Sequence, residues 1–365
     1  MSAPLTRRYW TLGTAAILLA GCLAGLDAYR RLRDAGGTSR AVVLAAMPPD
    51  SSAVVFADFT DLRRAPFAAE FYDWIPKNQV DTDYAQFLRE TGFVYERDLD
   101  RVAIAFIKSE KDSKLFALAV GRFDRKKIEA YATRSGTREN RGGREIFSMP
   151  LSDTSRKISF AFLTTDTIAL SDAGDIAPFL APVPNSADAR NWREHFTRVA
   201  GSPVFAVIRQ DSEAGSALAS RAPGGFQSPQ LSALLDQLQW ITLAGKPQDN
   251  ALRVVAEGEC ASEQTTRQFA DMLNGVLLMA QAGLNGPKTR QQLDPRIREA
   301  YLELIRGADV SRLDRGEFKS VRVAFDVTPK ILAAATLAVP AAPTPALTPT
   351  VPAHKRRAQK LAHQE

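Results

Sequence analysis

Few residues in this chain are suited to chemistry, and they lie far apart. His195, in NWREHFTRV, is the one histidine outside the C-terminal tail, which holds His354 and His363. An imidazole can act as a general base near neutral pH. That role needs a serine or cysteine to activate, and no G-x-S-x-G elbow or evident partner accompanies His195. It reads as a helix-surface or partly buried histidine. Cys260 ends an apolar strand and reads as a small buried hydrophobe rather than a reactive thiol. Asp98 and Asp100 stand at the entry of a strand, where alternate residues share a face, with Glu96 nearby. Two or three carboxylates without a loop of oxygen donors fall short of a calcium site. They read as turn and strand-entry residues with Arg97 and Arg101 as salt partners. Asp58 and Asp61 flank the end of an earlier strand and turn the chain into a helix. Gly142-Gly143 and Gly224-Gly225 are turn glycines without a phosphate-loop context. The expectation is therefore no catalytic, no cofactor-binding and no metal-binding residue.

Composition narrows the classes further. The 365 residues are 45% hydrophobic and 24% charged, as in an ordinary globular protein. The net charge of +6 is carried largely by the ends: Arg7, Arg8, Arg30, Arg31 and Arg33 near the start, and Lys355, Arg356, Arg357 and Lys360 in the tail. A basic patch with motif context is missing, so no nucleic-acid partner is expected. Two cysteines, Cys22 and Cys260, exclude a disulfide framework, and three histidines make a His-based metal cluster improbable.

Residues Tyr9 to Leu26 carry no charge and follow Arg7-Arg8, as in a signal peptide. Two readings stay open. Leu19-Ala20-Gly21-Cys22 resembles a bacterial lipobox, which makes Cys22 a candidate lipidation site. Alternatively the segment is uncut and spans a bilayer, just short of the ~20 apolar residues such a helix wants, with Tyr9, Trp10 and Tyr29 at the interfaces. Either one makes residues 1–33 a signal peptide or membrane anchor and tethers the bulk of the chain outside the cytoplasm, in a periplasmic setting.

Beyond a polar connector, 34–50, the elements come in a repeated order. SAVVFADF is a strand, followed by helices from Pro66 to Ile75 and from Thr82 to Gly92. The hairpin RVAIAFI/KLFALAVGRF follows, then a helix capped by Asp124, a polar turn from Gly136 to Gly143, the strand REIFSMPL and a hairpin around Thr165-Asp166. A short helix, Ala173 to Leu180, and a Pro-punctuated stretch close the first half. The second half repeats the order: SPVFAVIRQ, a short helix near Gln230–Leu235, a hairpin over Gln237–Cys260, and a helix capped by Ser262. In that helix Phe269, Met272, Leu273, Val276 and Leu277 form one apolar face. A helix from Asp294-Pro295, the strand FKSVRVAFDV and an Ala-rich helix from Thr328 complete it. Leu99, Val102 and Ile104 align with Leu238, Ile241 and Leu243 at constant offset. This order predicts an α+β fold of two ferredoxin-like βαββαβ repeats with antiparallel sheets, at 51–185 and 186–339. Phe67, Phe71, Tyr72 and Trp74 read as the core-facing side of the first helix. Residues 340–365 read as a Pro-rich, disordered basic tail.

The N-terminal apolar segment, MPPDSSAVVFADFTDLRRAPF, TGFVYERDLDRVAIAF and KLFALAVGRFD together resemble a loosely defined group of bacterial membrane-anchored proteins of unknown function. The resemblance covers the first third of the chain. It implies an envelope location and a duplicated α+β domain, and it carries no catalytic residues. The expected role is a non-enzymatic interaction or scaffold module with a protein partner in the envelope. The alternatives are a hydrolase, or a small-ligand carrier with its site at the junction of the repeats. Oligomeric state stays open.

Overall fold

A computed structural model of the chain describes residues 39–67, 82–108, 114–150, 157–210, 237–316 and 319–338. The N-terminal segment with Cys22, most of the helix expected at 66–75, the one near 230–235 and the Pro-rich tail lie outside the described residues.

Short helix α1 (Arg40–Ala45) is capped by Ser39 and leads through Pro48-Pro49 into strand β1 (Ser51–Asp58). The Asp58 carboxylate accepts from the Asp61 N–H at 3.1 Å, which caps α2 (Phe59–Leu62). After α3 (Thr82–Thr91) and α4 (Tyr95–Asp98) comes the hairpin of β2 (Leu99–Ile107) and β3 (Lys114–Gly121). Asp124 caps α5 (Arg125–Ser135). The expected polar turn at 136–143 is instead a fully exposed strand, β4 (Thr137–Arg141). It turns at Gly142 and Gly143, both at positive φ, into β5 (Arg144–Pro150). Strands β6 (Lys157–Phe162) and β7 (Thr167–Ser171), a 3-10 turn (Ala177–Leu180) and α6 (Ala187–Arg198) follow. The rest comprises β8 (Val204–Arg209), β9 (Leu238–Gln248), β10 (Ala251–Cys260), α7 (Glu263–Asn285), α8 (Pro287–Gln292), α9 (Pro295–Arg306), β11 (Asp309–Asp314), β12 (Lys319–Val327) and α10 (Pro329–Ala338).

The architecture is α+β, but the strands do not form two ferredoxin-like sheets. Among the described residues all twelve strands join one antiparallel sheet in the order β11-β12-β10-β9-β8-β1-β2-β3-β7-β6-β5-β4. A split βαβ order would put another strand between β1 and β2. Here they pair directly, with Asp58 opposite Arg101. The chain leaves β1 and enters β2 at the same end of the sheet, so the excursion between them reverses direction and leaves antiparallel neighbours. The two halves meet at β1 and β8, where Val55 faces Ala206 and Phe56 faces Phe205. From that seam the order runs outward as β1-β2-β3-β7 on one side and β8-β9-β10-β12 on the other.

Cross-strand partners share a face, so the registers sort the core. One face carries Val54, Phe56, Ala103, Ala105, Phe116, Leu118, Phe205 and Val207, packed under Val43 and Leu44 of α1 and Trp192 and Phe196 of α6. This cluster crosses the seam. The other face carries separate clusters beneath α7, around Phe59 and Leu62 of α2, and beneath α5. A fifth joins α9 to α10 through Ile297, Ala300, Ile331 and Ala334. On the expected apolar face of α7 Phe269 is buried, Met272 and Leu273 pack at the margin and Val276 and Leu277 are half-buried, while Leu278 and Met279, off that face, stand 68% exposed.

Candidate functional site

The densest buried polar group forms where α6 crosses the sheet. Ser186 caps α6 by accepting from the Ala189 N–H at 3.1 Å, and Trp192, His195 and Phe196 face inward at helical spacing. On β10 the face alternates, so Glu259 points toward α6 while its neighbour Cys260 points to the opposite core. The register skips Gln239 on β9, so Trp240, opposite Glu259, packs on the α6 side while Leu238, opposite Cys260, packs in the other core.

His195 and Glu259 are each only 3% exposed, with Nε2 3.0 Å from Glu259 Oε2. The other ring nitrogen, Nδ1, lies 2.8 Å from the Asn191 carbonyl oxygen. Both nitrogens are thus engaged by oxygen atoms, the Glu259 carboxylate on one side and the Asn191 carbonyl on the other. Arg198, one helical turn on, donates to the same Glu259 oxygen at 3.0 Å and to Glu194 at 2.6 Å. Burial pushes the Glu259 carboxyl up, but the hydrogen bond and charge of His195 together with Arg198 outweigh it and hold the group below the ordinary carboxylate range. Trp240 stacks on the imidazole at 4.1 Å, and Trp192 meets Trp240 edge-on at 4.9 Å. The Trp192 indole N–H donates to the Pro49 carbonyl at 3.2 Å, tying α6 to the segment before β1.

This arrangement holds charge inside the fold and does not poise it for reaction. A general base needs a free lone pair aimed at a substrate, and both ring nitrogens of His195 are already committed. Two further polar atoms here, Glu259 Oε1 and Ser320 Oγ, have no hydrogen-bond partner among the described residues; the residues face each other across β10 and β12. Among the described residues no group of three or more His, Cys, Asp or Glu side chains is placed to hold a metal ion.

The remaining sequence candidates fall elsewhere and do not converge. Asp98 pairs with Arg97 at 2.6 Å and stands 3.6 Å from Arg122, and it accepts from the Val94 N–H at 2.9 Å. Burial raises its carboxyl, but Arg97, the Val94 N–H and Arg122 bring it below the ordinary range. Asp100 pairs with Arg63 at 3.0 Å, not with Arg101. The Arg63 guanidinium also donates to the Glu96 and Leu99 carbonyls at 3.0 and 2.8 Å, which stitches α2 to the start of β2. Arg101 instead binds Asp58 at 2.8 Å, since its register on β2 puts the two opposite each other. Glu96 stays out of this pairing; burial first, and then Asp98, push its carboxyl up. Cys260 is free and buried, and burial pushes its thiol up. Gly142 and Gly143 make the hairpin turn only. Cys22 and Gly224-Gly225 lie outside the described residues.

His195 is thus more buried than its sequence context suggests, and Glu259, Arg198 and Trp240 were not anticipated as its partners. A signal did exist: Arg253, Glu257 and Glu259 recur on one alternating face of an otherwise apolar strand. Nothing local said what that face would meet.

No family model matches the chain, and no curated protein matches it. Solved structures of TP0453 are similar in the course of the chain. Its crystal form IV gives a TM-score of 0.44 at 8% identity, covering 85% of this chain and 99% of that one. Crystal form III gives 0.45 at 8% identity, covering 80% and 96%. At these values neither a family nor an activity follows.

Proposed function

We propose that this chain is a membrane-tethered envelope protein whose duplicated α+β body serves interaction or scaffolding rather than catalysis. The observation that supports this most is the engagement of both His195 nitrogens, one by Glu259 and one by the Asn191 carbonyl, which makes the best-arranged polar group a structural clasp. In this reading residues 1–33 tether the chain, with Cys22 as the lipidation site if the segment is cut there. Residues 51–185 and 186–339 are the two repeats, back to back across β1 and β8. The test is a His195→Gln variant scored in cells for both folded protein and envelope phenotype. The reading expects the phenotype to fall only as far as the folded amount falls. Loss of function at an undiminished folded level would make His195 a reactive group and turn the account toward the hydrolase.

One observation favours the carrier as a second reading. On the face of the seam opposite α6, Val55, Ala206 and Leu243 are only half-buried, an apolar strip between the α7 and α2 clusters. Saturable displacement of an apolar fluorescent probe, abolished by Val55→Asp, supports a carrier; unsaturable or mutation-insensitive binding counts against it.

A further inference from the structure

We propose that the distal half of α7, together with α8, is a docking surface for an anionic lipid bilayer, and this rests on the tethered reading above. The argument begins in the sequence. From Met272 through Leu293 the chain carries no carboxylate, and its only charges are Lys288 and Arg290. The structure then leaves this stretch beyond the core. In α7 the buried residues Thr266, Phe269 and Ala270 all belong to the first half of the helix. Past them, Leu278 and Met279 stand 68% exposed, and Val276, Leu277 and Leu284 are half-buried. At Gly275 and Gly283 an added Cβ would meet no atom within 4 Å, so the helix has open space beside it on those sides as well. Exposed leucine and methionine at successive positions of the uncharged distal half of a helix cost free energy in water and call for an apolar partner.

Charge selects the partner. Lys288 and Arg290 are exposed on α8, directly after the apolar stretch, and neither has an ion-pair partner among the described residues. An apolar helix face bordered by unpaired cations matches the acyl–headgroup boundary of an anionic leaflet, where the side chains bury and the cations meet phosphate. A second copy of the chain fits less well, because a twofold contact brings the same cations toward each other. No described helix is long and apolar enough to cross a membrane, so α7 lies along the interface. A chain tethered by its N-terminus is already held near such a surface, which raises the local lipid concentration seen by α7.

The test uses the full chain carrying Cys22→Ala and Met279→Cys, with an environment-sensitive NBD label on the new thiol and Cys260 shielded in the core. A control chain carries the label at Arg138→Cys in the exposed strand β4. In phosphatidylglycerol-containing vesicles the label at 279 is expected to brighten, shift to the blue and be quenched by acyl-chain spin-labelled lipid, while the label at 138 does neither. Lys288→Gln with Arg290→Gln should lower partitioning of the 279 site onto anionic vesicles on the order of tenfold, and less at high salt. A chain that sediments with vesicles while the label at 279 stays unshifted overturns the docking surface and leaves the tether standing. A chain that neither sediments nor shifts overturns the docking surface; the tether is read separately, from fatty-acid labelling and membrane fractionation of the parent chain with Cys22 intact, and fails if the parent is neither labelled nor membrane-bound. A blue shift that grows with protein concentration in the absence of lipid points to self-association and overturns the proposal.

Discussion

At the residue scale, the environment of Glu259 makes its charge a term in stability with a definite sign. Its folded carboxyl lies below the ordinary value, whereas in the unfolded chain it titrates near ~4.3. The stabilisation is therefore complete above that value and is lost as pH falls through the folded pKa. Glu259→Gln is expected to cost about 1–3 kcal/mol in urea unfolding at pH 7, and the difference from the parent should shrink as the solution is acidified below about pH 4. A cost that is constant across that range would mean the carboxylate charge contributes nothing. His195→Ala should cost more, about 3–5 kcal/mol, because it removes one partner of a buried pair and leaves the other charge short of compensation. The same scale shows what a sequence can and cannot say. Cys260 as a buried hydrophobe was legible from its place at the end of an apolar strand. The partner of Asp100 was not: Arg101 is its neighbour in the chain, but the register sets Arg101 opposite Asp58, Asp100 sits at the bulge between Leu99 and Arg101, and Arg63 reaches it from the end of α2 instead.

At the element scale, local signals carried far. Ser39, Asp124, Ser186, Ser262 and Asp294 each accept a hydrogen bond from a backbone N–H at a helix start, and three of these starts follow directly from cap and proline chemistry in the sequence. Strands without that punctuation were missed. β4 is wholly polar because it is an exposed edge, and its charged residues suit an edge that must not pair with another chain. β11 is the opposite edge and is likewise weakly apolar. The hairpin of β2 and β3 depends on a close approach. At Gly121 a Cβ would overlap the Asp98 carbonyl oxygen, beside the bulge between Leu99 and Arg101. Gly121→Ala should therefore destabilise the fold by roughly 1–3 kcal/mol, read as a lower urea midpoint. An unchanged midpoint would show that the β2–β3 bulge is pliable.

At the scale of the whole molecule, the α+β class was legible in the sequence, but the joining of all the described strands into one sheet was not. Strand pairing between distant segments is set by what each edge finds to cover it, and β1 and β8 find each other. The seam joins Phe56 to Phe205, stacked at 5.0 Å, under Trp192 and Phe196. The two halves thereby become one sheet with a shared core, clasped from one side by α6 through His195 and Glu259. Phe205→Ala, which empties the seam, should cost about 3–5 kcal/mol and lower the stability of both halves together. The most direct test of this fusion is native-state hydrogen exchange resolved to single strands. The account predicts that the amides pairing β1 with β8 belong to the slowest class, exchanging only with global unfolding, and that strands of both halves share that opening free energy. Early exchange at β1 and β8, with the outer strands of each half protected to different free energies, would contradict it and leave two independent domains.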